Sequence, residues 1–97
     1  MIQKTTYKHP YLWISPDGDF YDGTAHESSA RELLKELYDI DMDCLGYCGD
    51  ALVSAGWIKV NPELNSYYEE WGMYDHMTAF QALAYHQWLD YYYEKCH

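Results

Sequence analysis

One stretch decides the fold of this chain: residues 24–60, TAHESSARELLKELYDIDMDCLGYCGDALVSAGWIKV. Its first part, residues 30–38, repeats apolar side chains at the i, i+3, i+4, i+7 spacing of an amphipathic helix. Thr24 and Glu27 match a capping box, in which each side chain accepts a hydrogen bond from the other residue's backbone N–H. The pattern therefore predicts a helix that begins at Thr24 and buries one face.

The second part of the stretch predicts a turn, another helix and a strand. Asp39, Asp41 and Asp43 form an acidic turn, and aspartate is favoured at the positive end of a helix. The second helix is expected to stop at Gly56, because glycine commonly follows a helix C-terminus. Residues 57–60, WIKV, have strand composition.

Two hairpins are also expected, and each uses at least one segment outside residues 24–60. Residues 11–14 and 19–23 flank the turn sequence SPDG and predict an N-terminal hairpin. Residues 66–71 are expected to return as a strand against 57–60, which makes a central hairpin. The order of elements over residues 29–71 is then that of a winged helix, although its second helix has no Lys or Arg to read DNA.

A last helix is predicted to open at Thr78–Gln81, a second capping-box match. Its region Tyr85–Tyr93 is apolar on most sides, which indicates a central helix or an interface. The sequence thus predicts one α+β domain over residues 1–97, with three helices, a small antiparallel sheet built from the N-terminal and central hairpins, and winged-helix-like order in the middle.

The composition favours binding to a basic protein. The chain has 16 acidic and 6 basic residues, a net charge of −10, and 12 Tyr and 4 Trp among its aromatic residues. No Lys or Arg interrupts the acidic residues between Lys35 and Lys59 or between Lys59 and Lys95. Such a chain repels nucleic acid and anionic membranes, so direct binding to either is not expected. Three cysteines without a signal peptide predict the cytoplasm.

Two metal sites stay open as alternatives, but no cofactor is expected. Asp39, Asp41, Asp43 and Asp50 have the spacing of an EF-hand loop at its positions 1, 3, 5 and 12, yet Cys44 stands where that loop needs glycine. A second possible set, of the Cys₃His zinc type, is Cys44, Cys48, Cys96 and His97.

Catalysis is not expected. The five histidines are scattered, no serine lies in a nucleophile motif, and no glycine loop is built to hold a phosphate. The sequence therefore predicts that the protein is not an enzyme.

Four segments together resemble small accessory proteins encoded by bacteriophages and prophages. They are Trp13 with Pro16-Asp17-Gly18, then His26–Ala30, then Ala55–Val60, then Thr78–Gln81. Because such proteins are often inhibitors of host defence, the resemblance implies an anti-CRISPR or anti-restriction role in the host cytoplasm. It assigns no functional residues.

Charge and aromatic content lead to the expected function, an acidic inhibitor that mimics DNA on a basic nucleic-acid-binding surface of a host defence protein. The residues expected to bind the partner are Asp39, Asp41, Asp43, Asp50, Tyr68, Glu69 and Glu70. The alternative is a self-associating phage structural or assembly protein, a homodimer through the region Tyr85–Tyr93.

Overall fold

A computed structural model describes residues 3–43 and 45–94. Along them the chain forms three short strands, four α-helices and one 3₁₀ turn. In chain order these are β1 Leu12–Ile14, β2 Phe20–Asp22, α1 His26–Tyr38, the 3₁₀ turn Leu45–Tyr47, α2 Cys48–Ser54, β3 Ile58–Val60, α3 Asn65–Glu70 and α4 Ala79–Glu94. None of the helices in these two ranges is long and apolar enough to cross a lipid bilayer.

The strands form one antiparallel sheet in the order β2-β1-β3. The turn between β1 and β2 is closed by a hydrogen bond from the Gly18 N–H to the Ser15 carbonyl at 2.9 Å. Gly18 has a φ of 87°, a conformation that glycine adopts without steric cost. The N-terminal hairpin predicted from the sequence is confirmed.

Helices cover both faces of this sheet. Neighbouring side chains of a strand point to opposite faces, so Trp13 packs with α1 and α2, whereas Leu12 and Ile14 pack with α4. Trp13 on the first side and Trp88 on the second are both fully buried. The α+β class with a small antiparallel sheet is confirmed.

The central hairpin is wrong in detail. Residues 66–71 were expected as a strand, but α3 and its C-cap residue Trp71 occupy them. β3 pairs with β1 instead, with Leu12 opposite Val60. Asn61 accepts the Glu63 N–H on its side-chain oxygen at 2.9 Å, and this local turn leads the chain into a helix.

The winged-helix arrangement is also not found. Gly49, near the start of α2, contacts Glu27 near the start of α1. Trp57, just after α2, contacts Tyr38 at the end of α1. The two helices therefore run in the same direction, and the chain between them passes back along α1.

The two capping boxes had different outcomes. The Thr24 hydroxyl bonds to the Asp22 carboxylate at 2.6 Å, and α1 begins two residues later with Ala25 as its N-cap residue. In contrast, Thr78 and Gln81 make both reciprocal bonds, at 3.1 and 3.0 Å. The first box is therefore wrong and the second is confirmed.

Candidate functional site

The four aspartates predicted for the site do not form one group. Asp39 is the left-handed C-cap residue of α1, with a φ of 56°. Asp41 lies 3.5 Å from the Arg31 guanidinium, and both groups are exposed. Asp43 is exposed as well. Asp50 lies in the first turn of α2, near the start of α1. Its negative charge there acts to raise the pKa of His26.

Of the four aspartates, Asp50 is the one that lies near His26, on the side of the molecule where Tyr68 is found. Burial lowers the pKa of His26 and the nearby Lys59 lowers it further, while Glu27 and Asp50 oppose the shift. His26 also shares a cavity wall with Tyr68 of α3. The structure thus brings Asp50 and Tyr68 towards His26 and leaves Asp39 at the far end of α1.

Hydrogen bonds fix α3 against the rest of the molecule. Asn65 is 4% exposed, and its side-chain amide donates to the Tyr85 hydroxyl at 2.7 Å. The Tyr74 hydroxyl lies 2.7 Å from the Asn65 side-chain oxygen and 2.8 Å from the Lys59 carbonyl. These contacts attach α3 to α4 and to β3, and they fix the orientation of α3 and therefore of its outer face.

The outer face of α3 combines rings and carboxylates. Tyr67 and Trp71 stand one helical turn apart, their ring centroids are 5.0 Å apart, and they are 49% and 72% exposed. Glu69 and Glu70 are also exposed on this helix, Glu70 one turn from Tyr67 and Glu69 nearer the opposite side of the helix, and within the described ranges neither forms an ion pair. We call Tyr67, Glu69, Glu70 and Trp71 the α3 surface.

Tyr68 lies on the inner side of this helix. It is half-buried, its ring centroid lies 6.5 Å from that of Tyr74, and burial raises its pKa. Glu69 and Glu70 are among the residues predicted from the sequence, whereas Tyr67 and Trp71 are not. Their i, i+4 spacing places two rings on one side of a helix, and a strand over residues 66–71 would not bring them together in this way.

A second feature, which the sequence analysis did not identify, is a buried lysine. Lys59 is 2% exposed, and its ammonium group lies 5.5 Å from the centroid of the Trp13 ring. The ammonium donates to the Gly23 carbonyl at 2.6 Å. Burial lowers the pKa of Lys59 to about 8, while the Asp22 carboxylate opposes the shift. A lysine inside an apolar strand was the signal in the sequence.

Lys59 lines a cavity of about 450 Å³ at the end of the sheet, which we call the Lys59 cleft. Its other walls are Tyr11, Gly23, Thr24, His26, Asn61, Glu63, Leu64 and Tyr68. A separate cavity of about 350 Å³, lined by Tyr21, Asp22 and polar residues of α1, contains no buried cation. The Lys59 cleft is thus the more distinctive of the two chemically.

The two metal alternatives receive no support. Within residues 3–43 and 45–94, no three His, Cys, Asp or Glu side chains lie close enough together to hold a metal ion. This covers the four aspartates of the EF-hand-like spacing. For the zinc alternative, Cys48 is buried in the core, while Cys44, Cys96 and His97 lie outside the described residues.

The aromatic region of α4 is mostly turned inward. Trp88 is fully buried and Tyr85 is 8% exposed, whereas Tyr93 is 38% exposed. The most exposed large apolar side chains of α4 are Phe80 and Leu83, at 62% and 68%. Any self-association through this helix would therefore use its first turns more than Tyr85–Tyr93.

Comparisons of the chain with protein families, with curated proteins and with solved structures each found no match. The function is therefore argued from the geometry of the α3 surface and the Lys59 cleft.

Proposed function

We propose that this protein is an acidic inhibitor that binds a basic, nucleic-acid-binding surface of a host defence protein through its α3 surface. The observation that carries the proposal is the exposed Tyr67–Trp71 pair, with the exposed carboxylates of Glu69 and Glu70 on the same helix. These four side chains offer two kinds of contact that a nucleic acid also offers: negative charge and stackable rings.

Arginine is the partner residue that this chemistry fits best. A guanidinium binds a carboxylate with two parallel hydrogen bonds and also stacks on the face of Trp or Tyr. A cation over an aromatic ring contributes about 0.5–2 kcal/mol, depending on how far it is desolvated. Nucleic-acid-binding surfaces are rich in Arg and Lys, which bind the phosphates. A partner whose Arg and Lys side chains were occupied by the α3 surface could not bind its nucleic acid.

The net charge of −10 supports the same role at longer range. It accelerates encounter with a cationic protein and discourages encounter with nucleic acid itself. Asp39, Asp43 and Asp50 are exposed and form no ion pair within the described ranges, so they add to this field. We assign them to steering and the α3 surface to contact. The resemblance to phage accessory proteins suggests anti-CRISPR or anti-restriction targets.

Displacement of DNA tests the proposal directly. Purified CRISPR effectors and restriction nucleases would be bound to fluorescent DNA and titrated with the protein at about 50 mM and about 500 mM NaCl. We expect release of DNA from at least one of them, and weaker release at high salt. The variant Glu69→Gln, Glu70→Gln, Trp71→Ala should lose at least about tenfold in affinity.

A charge-matched variant separates the site from general acidity. Asp17→Asn with Glu32→Gln removes two exposed carboxylates elsewhere and should bind within about twofold of the wild type. Asp39→Asn, Asp41→Asn, Asp43→Asn should slow association with little change in dissociation. If the charge-matched variant lost as much affinity as the α3 variant, or if no nuclease released DNA, the proposal would be wrong.

Self-association is a second candidate, favoured by the exposure of Phe80 and Leu83 one turn apart on α4. An apolar interface resists salt, whereas acidic contacts do not. Sedimentation at both salt concentrations distinguishes the two functions. A dimer that persists at high salt and is lost in Leu83→Glu would support an assembly role.

A further inference from the structure

Lys59 is a buried cation that forms no ion pair at contact distance within the described ranges. Its ammonium group has three N–H donors, and within the described ranges it makes one hydrogen bond, to the neutral Gly23 carbonyl. No carboxylate of those ranges lies within 4.0 Å of it. Buried charges in proteins are normally paired, because an unpaired charge is costly to remove from water. The charge of Lys59 is balanced at longer range by Asp22 and by the face of the Trp13 ring.

The Asp22 carboxylate acts on Lys59 without forming an ion pair with it. Burial alone raises the pKa of Asp22, but hydrogen bonds from Thr24 and the charges of His9 and Lys59 bring it below its ordinary value. The Asp22 carboxylate accepts from the Thr24 N–H and hydroxyl at 2.8 and 2.6 Å and lies 3.4 Å from His9. Its direct contacts are thus with Thr24 and His9.

The Lys59 cleft can admit a small molecule. Its volume of about 450 Å³ falls within the range of ligand pockets, roughly 300–1,000 Å³. Rings from Tyr11, His26 and Tyr68 contribute to the walls, and Leu64 adds an apolar side chain. A flat, largely apolar body suits such walls better than a sugar or a flexible chain does.

The charges around the cleft limit the ligand to a single negative charge. Glu63 lines the cleft and Asp22 lies next to it, so a doubly charged phosphate would meet two carboxylates and one ammonium group. A monocarboxylate adds the least negative charge that can still pair directly with the Lys59 ammonium group. Its two oxygens can also accept from the ammonium donors that have no acceptor among the described residues.

We propose that the Lys59 cleft binds a small monocarboxylate with a planar apolar body, whose carboxylate pairs with the Lys59 ammonium group. This site is independent of the α3 surface and goes beyond the proposed function. A bound carboxylate would form a direct ion pair with Lys59, which no described residue does.

Benzoate is a suitable probe, and benzamide is its uncharged isostere. Calorimetric titration at constant ionic strength should show benzoate binding to the wild type at concentrations up to about 20 mM. Benzamide should bind at least about tenfold more weakly, because it cannot neutralise Lys59. Lys59→Met should lose benzoate binding by a similar factor, whereas the exposed-residue control Lys35→Met should not change it.

The pH dependence gives a test that requires no variant. With a pKa of about 8, Lys59 is mostly charged near pH 7 and mostly neutral near pH 9, so benzoate affinity should fall about tenfold between them. Three charged or titratable groups near Lys59 have pKa values that are shifted away from this interval. Burial lowers the pKa of His26 and raises that of Tyr68, and hydrogen bonds from Thr24 help to keep the pKa of Asp22 below its ordinary value.

Three results would overturn this assignment. They are equal binding of benzoate and benzamide, unchanged affinity between the two pH values, and no benzoate binding to the wild type. Circular dichroism checks that Lys59→Met is folded, and if it is not, the wild-type comparisons still decide. The DNA-displacement experiment remains unaffected by any of these outcomes.

Discussion

The Glu27 carboxylate accepts a hydrogen bond from the Gly49 backbone N–H at 2.9 Å, across 22 positions of sequence. A carboxylate near the start of one helix thereby caps the first turn of another. The sequence predicted a local partner for Glu27 in Thr24, and the structure replaces that partner with a distant one. This contact aligns the N-termini of α1 and α2 and so sets their parallel packing.

Removal of this contact should weaken the fold. Glu27→Ala is expected to lower the free energy of unfolding by about 1–2 kcal/mol, the usual cost of losing a helix cap with a buried donor. Urea denaturation followed by circular dichroism measures it. Glu32→Ala, an exposed change in the same helix, is the control and should stay within about 0.5 kcal/mol of the wild type. Equal losses would argue that only helix propensity is involved.

The close approach at Gly49 predicts opposite effects for two glycines. A Cβ at Gly49 would lie 2.4 Å from the His26 ring nitrogen, and that ring is held against Trp13 with centroids 4.9 Å apart. At Gly46 a Cβ would meet no atom of the described residues within 4 Å. Gly49→Ala should therefore cost about 1–3 kcal/mol through crowding.

Gly46→Ala is the matched control for that substitution. It restricts the unfolded chain and crowds no neighbour, so it should be neutral or stabilise by up to about 1 kcal/mol. Thermal melting of the two variants side by side measures the difference. If Gly49→Ala were as stable as Gly46→Ala, then His26 could move away at little cost, and the packing against Trp13 would be unimportant.

Much of the fold could be read from local patterns. The i, i+3, i+4 spacing in α1, the Gly18 turn and the Gly56 stop each depend on neighbours in sequence, and Gly56 has the expected positive φ of 98°. The strand partner of β3 could not be read in this way. It depends on which strand, distant in sequence, has an unpaired edge. β1 has such an edge and pairs with β3 there, with Trp13 opposite Lys59.

The candidate site was predictable only in its chemistry. Exposed acids and rings were expected from composition, and the structure does expose Glu69 and Glu70. Which tyrosine ring is exposed depends on whether residues 65–70 form a helix or a strand. The helix that forms turns Tyr68 inward and Tyr67 outward. The Lys59 cleft required knowing that the ends of three strands meet, which no local pattern contains.

Lys59 should also make stability depend on pH. Its pKa in the folded state is about 8, below the ordinary value of 10.5, so the folded chain releases its proton first. Between these values the unfolded state holds more protons, and the stability contributed by Lys59 therefore rises with pH. Lys59→Met has no such proton. Its stability relative to the wild type should fall by about 2–3 kcal/mol between about pH 7 and about pH 10.

Denaturation curves of both proteins at several pH values would measure this change. Comparison with a variant is needed because other groups titrate in the same range, including Tyr74, whose pKa burial raises. Those groups are shared by the two proteins and cancel in the difference. Lys35→Met should show a difference that stays flat with pH. A flat difference for Lys59→Met as well would mean that its ammonium group is solvated in the folded state.

Gln81 provides the last prediction, because its side chain connects three parts of the fold. Its oxygen accepts from the Thr78 N–H at 3.0 Å, and its nitrogen donates to the Gly56 carbonyl at 2.6 Å and to the Ile14 carbonyl at 3.3 Å. The residue is 1% exposed. Gln81→Leu keeps a similar size but leaves these buried groups without a partner. We expect a loss of about 2–4 kcal/mol in the free energy of unfolding.

Gln87→Leu makes the same change at an exposed position of the same helix and should alter stability by no more than about 0.5 kcal/mol. The comparison separates the hydrogen bonds of Gln81 from the helix propensity of leucine, which is identical in the two variants. Amide hydrogen exchange adds a local test, since loss of the Gln81 contacts should expose the start of α4 before the sheet opens. If Gln81→Leu were as stable as Gln87→Leu, apolar packing of α4 on β1 would be enough to hold the helix on the sheet. The hydrogen bonds of Gln81 would then not be needed for stability.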